Sequence, residues 1–171
     1  MRPVDVICDD GTAVFAREDD YFFGVLHSRA HEVWSLRMGT WLGKGNDPRY
    51  TPTTCFETFP FPWPPGTEPV DDPRVQAIAA AAKELDETRR RWLDPSDISE
   101  ADLKKRTLTN LYNQRPTWLQ HLHATLDRAV WDAYGWPVDE APGEVAEEVI
   151  LERLLGMNLE RAGTMTQTQL R

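Results

Sequence analysis

The residues able to do chemistry gather early in the chain. His27 and His31 stand four apart with Arg29 between them, in the run FGVLHSRAHEVW. On a helix that spacing puts both imidazoles on one face, where they could hold a metal or look out to solvent or DNA. The pattern is not H-E-x-x-H and no third ligand follows nearby, so no metal centre is assigned. A second cluster lies in residues 39–49, GTWLGKGNDPR, where Trp41, Lys44 and Arg49 stand among three glycines with only Asp47 against them. A basic, glycine-bearing stretch beside an aromatic has two readings, a phosphate contact or an ordinary surface loop. It is not a P-loop, because the G-x-x-x-x-G-K-[ST] spacing is absent and no strand leads into it.

No catalytic set assembles. His121 and His123 form a second pair without an evident carboxylate or thiol partner, and no nucleophile elbow, dinucleotide-binding turn or kinase signature is present. Cys8 and Cys55 lack metal-ligand or C-x-x-C spacing, which points to two reduced thiols in a cytoplasmic protein. No catalytic and no metal residue is therefore nominated.

These residues must be positioned by the elements around them. Asp19 and Asp20 precede a stretch, 21–38, whose apolar residues recur at helical spacing, and Gly39 ends it. Ahead of it, VDVIC and TAVFA flank Asp9-Asp10-Gly11, a hairpin signal. After the basic loop comes YTPTTCFETFPFPWPP (50–65), with five prolines. Proline fixes φ and lacks an N–H, so this run suits neither a helix nor a central strand. We expect an extended, polyproline-like strap over 58–65 that lays Phe59, Phe61 and Trp63 on the protein's own surface.

Residues 64–69 read as a linker. Asp72-Pro73 then opens a helix correctly, and it closes at Arg89, Arg90 and Arg91, which suit the helix dipole or could lie along a DNA backbone. Further helices are expected over about 99–112, from Thr117 to Gly135, and over about 144–159. From Gly163 the tail shows no pattern and is expected to be disordered. The fold class is thus α+β and mostly α: a short N-terminal β-hairpin and helix, a proline-aromatic strap, then a helical, bundle-like C-terminal part. The divisions expected are 1–65, 66–162 and a tail over 163–171.

The 171 residues carry a net charge of −9, which argues against a general nucleic-acid binder. The acid is uneven, however. Residues 1–20 hold six acids against two bases and 139–152 hold six against none, whereas 83–115 hold eight bases against seven acids. No apolar run approaches the roughly 20 residues of a membrane span, and the N-terminus lacks a secretory apolar region.

The runs FGVLHSRAHEVW and RYTPTTCFETFPFP resemble the end of the target-recognition region of the MmeI-like, type IIG/IIL restriction–modification enzymes and their methyltransferase-only relatives. The later runs LTNLYNQRPTWL, LDRAVWDAYGW and ILERLLGMNLERA are similar to the helical C-terminal domain that follows in that family. The resemblance covers roughly residues 1–162. It implies recognition of double-stranded DNA within an S-adenosylmethionine-dependent, adenine-specific DNA methyltransferase of restriction–modification or related phage defence. The family's glycine-containing cofactor motif and N-P-P-Y-type tetrapeptide are absent from these 171 residues, as is a nuclease motif. The resemblance therefore implies no cofactor in this chain, and a methyltransferase domain or subunit as partner. His27, Arg29 and His31 become candidates for base edges or backbone, and Lys44 and Arg49 for phosphates. The alternative is a non-catalytic interaction module that docks a methyltransferase subunit without touching DNA.

Overall fold

The computed structural model describes residues 13–43, 47–137 and 139–169. Eight helices and one small antiparallel sheet occur among them, in the order α1 (Asp20–Leu26), α2 (Arg29–Met38), β1 (Thr40–Leu42), β2 (Asp47–Arg49), α3 (Pro52–Cys55), α4 (Pro73–Leu93), α5 (Glu100–Leu103), α6 (Leu108–Gln114), α7 (Thr117–Tyr134) and α8 (Glu147–Gln169). The architecture is mostly α with a small β part, as the sequence suggested. The expected first arm of the N-terminal hairpin lies outside the described residues, and residues 13–16 form no strand. The sheet that is seen is β1–β2, inside the stretch read as a loop.

One core runs through the molecule. Helix α1 packs on α4, and α4 packs on α7. Gly24 permits this approach: a Cβ there would lie 2.8 Å from Ile78 Cγ2 and 2.9 Å from Ala82 Cβ. The small-residue stripe of α4, with Ala81 and Ala82 buried beside Ile78 and Leu85, is the other half of the same fit. Phe22, Val25, Ile78, Leu126, Val130, Trp131, Ile150 and Leu154 belong to this single cluster, which spans both sides of the division expected near residue 65.

Helix boundaries follow local chemistry. Asp19 accepts the N–H of Phe22 at 2.8 Å and starts α1; Asp72 accepts the N–H of Arg74 at 2.8 Å and starts α4 ahead of Pro73. Gly135, at φ 69°, ends α7 in the left-handed conformation that glycine adopts without strain. Where one helix was expected over 99–112 there are two, because Thr107 caps a new start by accepting from the Asn110 N–H at 3.2 Å. Helix α8 begins at Glu147 and continues to Gln169, into the stretch expected to lack order; no proline interrupts it.

The strap is docked. Phe59 is 5 % and Phe61 3 % exposed, and Pro60 is fully buried between them. Phe22 stacks on Phe61 at 5.6 Å, and Phe56 meets Phe61 edge-on at 5.7 Å. Such pairs contribute about 0.5–1.5 kcal/mol each beyond area burial. The strap has no ladder partner among the described residues, and side chains satisfy several of its carbonyls. Tyr134 donates to Pro60 O at 3.0 Å, Asn158 to Thr58 O at 2.9 Å, and Arg161 to Phe61 O at 2.8 Å. The run read as unsuited to a helix nonetheless opens with one, α3 over Pro52–Cys55. Pro52 occupies the first turn of α3, where a missing N–H costs nothing.

Candidate nucleic-acid interface

The helix expected over 21–38 is two helices, and the break decides where its polar residues go. Ser28, 1 % exposed, donates to Val25 O at 2.7 Å and accepts from the His31 N–H at 3.4 Å, capping α2. The carboxylate of Asp127 in α7 accepts the Arg29 N–H at 2.7 Å, satisfying another free donor at the same helix end. Turning the chain at Ser28 rotates α2 relative to α1 and carries the His31 ring inward.

His31 is consequently buried, at 5 % exposure. Its Nδ1 lies 2.9 Å from Leu26 O and its Nε2 3.1 Å from the Tyr50 hydroxyl. The carbonyl can only accept, so Nδ1 carries the proton and Nε2 accepts from Tyr50. Phe59 meets the ring edge-on at 4.8 Å. Burial pushes the His31 pKa down to about 4, against the raising effect of the Leu26 carbonyl. His27 is half-buried, donates from Nδ1 to Phe23 O at 3.0 Å and stacks on the Phe23 ring at 3.9 Å. Its pKa is also lowered, first by burial and then by the nearby Arg89 charge. The Arg29 guanidinium donates to Val145 O at 3.3 Å. His31 is thus buried at the α1–α2 corner, with His27 and Arg29, candidates for base edges or backbone, partly buried beside it. The corner itself follows from the Ser28–Asp127 cap, which a one-helix reading of the periodicity does not contain.

The surface that does project is the hairpin. Thr40 pairs with Arg49, Trp41 with Pro48 and Leu42 with Asp47, and all six residues are exposed. Opposed residues share a face of an antiparallel pair. One face therefore presents Thr40, Leu42, Asp47 and Arg49, and the other presents Trp41 and Pro48. Pro48 sits where a proline is tolerated, on a strand with no further neighbour among the described residues. Lys44 lies outside the described residues. Arg49 makes no ion pair among the described residues. Arg37, exposed in the last turn of α2, adds a cation at the hairpin's root.

The root is rigid. Gly39 joins α2 to β1, and a Cβ there would meet Ser35 O at 2.7 Å and Arg49 O at 2.9 Å. At the other strand's exit Tyr50 is held by His31, and Thr40 and Thr51 hydroxyls meet at 3.3 Å. Buried Cys55 packs beneath, its thiol 3.5 Å from Ser35 O.

The bases of the helical half differ in kind. Asp86 takes Arg89 at 3.3 Å and Arg90 at 2.6 Å; Glu100 takes Lys104 at 3.1 Å; Asp102 takes Lys105 at 2.9 Å. Arg106 lies over the Trp92 ring at 4.4 Å. Of the eight bases over 83–115, Arg89, Arg90, Lys104 and Lys105 are thus engaged in ion pairs among the described residues. Among the described residues no group of three or more His, Cys, Asp or Glu gathers as a metal site, and no helix is long and apolar enough to cross a membrane.

No curated protein matches the chain. Residues 1–63 match the family described as "MmeI, target recognition domain". Among solved structures, the type IIL restriction–modification enzyme MmeI in complex with DNA superposes with a TM-score of 0.62 at 24 % identity, over 85 % of this chain and 17 % of that one. The chain thus spans about a sixth of the length of that enzyme. Its first 63 residues are similar to the MmeI target recognition domain, and most of its length shares the fold of a segment of that enzyme.

Proposed function

We propose that the chain is the DNA-specificity and helical portion of an MmeI-type restriction–modification enzyme that methylates adenine, with S-adenosylmethionine chemistry supplied by a methyltransferase domain or subunit outside these residues. The observation that carries this reading is the β1–β2 hairpin. It is exposed on both faces, rooted on a closely packed corner, and bears Trp41 and Arg49, which makes no ion pair among the described residues. A two-stranded ribbon is narrow enough to enter the major groove of B-DNA, about 12 Å wide. In this reading Arg49 and Lys44 contact the duplex from the ribbon and Arg37 from its root. His27, Arg29 and His31 act through position, by setting the angle at which α2 delivers the ribbon. The work is done on DNA in the cytoplasm.

Gel shift of the chain with duplexes, at low and at moderate salt, tests the reading. Binding that weakens steeply with salt is expected of a phosphate-contacting surface. Absence of binding at low salt, with the fold intact, leaves the chain as a protein-docking module only.

A further inference from the structure

Helix α8 has two unlike faces. The inner face carries Ile150 and Leu154, both fully buried, and the donors Asn158 and Arg161 that hold the strap. Along the outer face Leu155 is 53 % and Leu159 65 % exposed. At 3.6 residues per turn Leu155, Gly156, Leu159 and Gly163 lie along one strip. A Cβ added at Gly156 or at Gly163 would meet nothing within 4 Å. Packing within the described chain therefore gives neither glycine a reason, although glycine inside a helix is unfavourable relative to alanine. Close approach of a second backbone supplies that reason. Toward the helix start the same side continues with exposed Glu148 and Glu152.

Charge selects what approaches. A duplex is repelled by these carboxylates. A second copy in parallel would set Glu148 and Glu152 against themselves. In antiparallel register they would face the helix's far half, where Arg161 is committed to the carbonyls of Phe61 and Pro62 at 2.8 and 3.1 Å. The solved MmeI chain, of which this chain covers 17 %, leaves ample polypeptide to serve instead. We propose that the outer strip of α8 docks another polypeptide of the same enzyme, through a helix or ridge that is apolar along its crest and flanked by lysine or arginine. The proposal rests on reading the chain as one part of a larger enzyme, and it is separable from DNA contact by the hairpin.

The test titrates the intact chain with a synthetic helical peptide carrying a leucine stripe flanked by lysines, and with a glutamate-flanked counterpart. The lysine peptide should bind saturably and the glutamate peptide should not. Leu159→Asp, on an exposed side chain, should weaken binding at least about tenfold without lowering the melting temperature. Gly156→Ala should raise the melting temperature yet also weaken binding, a combination that a purely internal role for Gly156 does not produce. Equal affinity for both peptides, no binding, or affinity unmoved by either substitution overturns the proposal. So does a dimer in sedimentation that Leu159→Asp dissolves, which assigns the strip to a second copy. DNA binding is measured on the same samples: its persistence beside a failed peptide titration sinks the docking face and leaves the recognition reading standing.

Discussion

The carboxylate of Asp127 accepts the backbone N–H of Arg29 at 2.7 Å, joining α7 to the first residue of α2 across 98 positions of sequence. This contact ties the helical half to the corner from which the hairpin projects. Burial pushes the Asp127 pKa up to about 6, with the Arg29 N–H opposing and the Glu32 charge adding to the rise. The folded state thus holds its proton more tightly than the unfolded chain, whose carboxyl titrates near 4. Stability from this group is full below pH about 4 and is lost as pH rises through 6, by up to about 3 kcal/mol. Asp127→Asn lacks that loss. The stability difference between variant and parent, from urea unfolding, should therefore rise in the variant's favour between pH 4 and 6. A flat difference contradicts the burial of this charge.

His31 moves the opposite way. Its pKa of about 4 lies below that of a free imidazole, so the unfolded chain takes up the proton first as pH falls. Stability is full above pH about 6.5 and is lost on the way down to 4, by about 3 kcal/mol. His31→Gln cannot titrate. It should be the less stable protein at pH 7, through the lost Tyr50 bond, and should close the gap on the parent as pH falls to 4. A gap that is constant with pH places His31 in solvent.

Part of this was legible in the sequence and part was not, for physical reasons. Asp72-Pro73 and Gly135 are local signals, and they set the ends of α4 and α7 as read. The docking of the strap was also legible, because Phe59 and Phe61 among prolines have no other low-energy place. The corner at Ser28 was not. Its apolar residues keep helical spacing through the break, and its cap is completed by Asp127 from another helix. Burial of His31 depends likewise on Phe59 and Tyr50, which only the fold brings near. The hairpin escaped notice because its strands are three residues long, exposed throughout and interrupted by Pro48. Arg49 could be nominated from charge alone, but its exposure on a paired strand could not.

Aromatic truncation tests the strap. Phe61→Ala removes a ring that is 3 % exposed and stacked on Phe22, and should cost about 3–5 kcal/mol. Trp63 is half-buried, 6.3 Å from Tyr21 and 4.9 Å from the Arg74 guanidinium, so Trp63→Ala should cost less, about 1–2 kcal/mol. Thermal melts rank the two; a Phe61 variant that melts with the parent contradicts the docked strap.

Close packing at Gly24 gives a test of overpacking. Gly24→Ala drives a methyl to 2.8 Å from Ile78 Cγ2, so α1 must shift from α4 at a cost of about 1–3 kcal/mol. Helix propensity alone favours alanine by about 1 kcal/mol. Denaturant unfolding therefore reads the sign: destabilisation confirms the contact, and stabilisation denies it.

In the proposed reading DNA meets the hairpin, and the salt dependence of binding reports on that contact. Lys44→Ala/Arg49→Ala is compared with a variant neutralised at Arg89, Arg90 and Arg91, each in a chain joined to a methyltransferase domain. Each lost phosphate contact removes about 0.9 from the slope of log K against log salt. The hairpin double variant should bind more weakly across all sequences, with a slope shallower by about two units, while the arginine variant keeps the parent's slope. An unchanged slope in the hairpin variant, with binding lost only on neutralising Arg89 to Arg91, would contradict the account and move the DNA surface to the helical half.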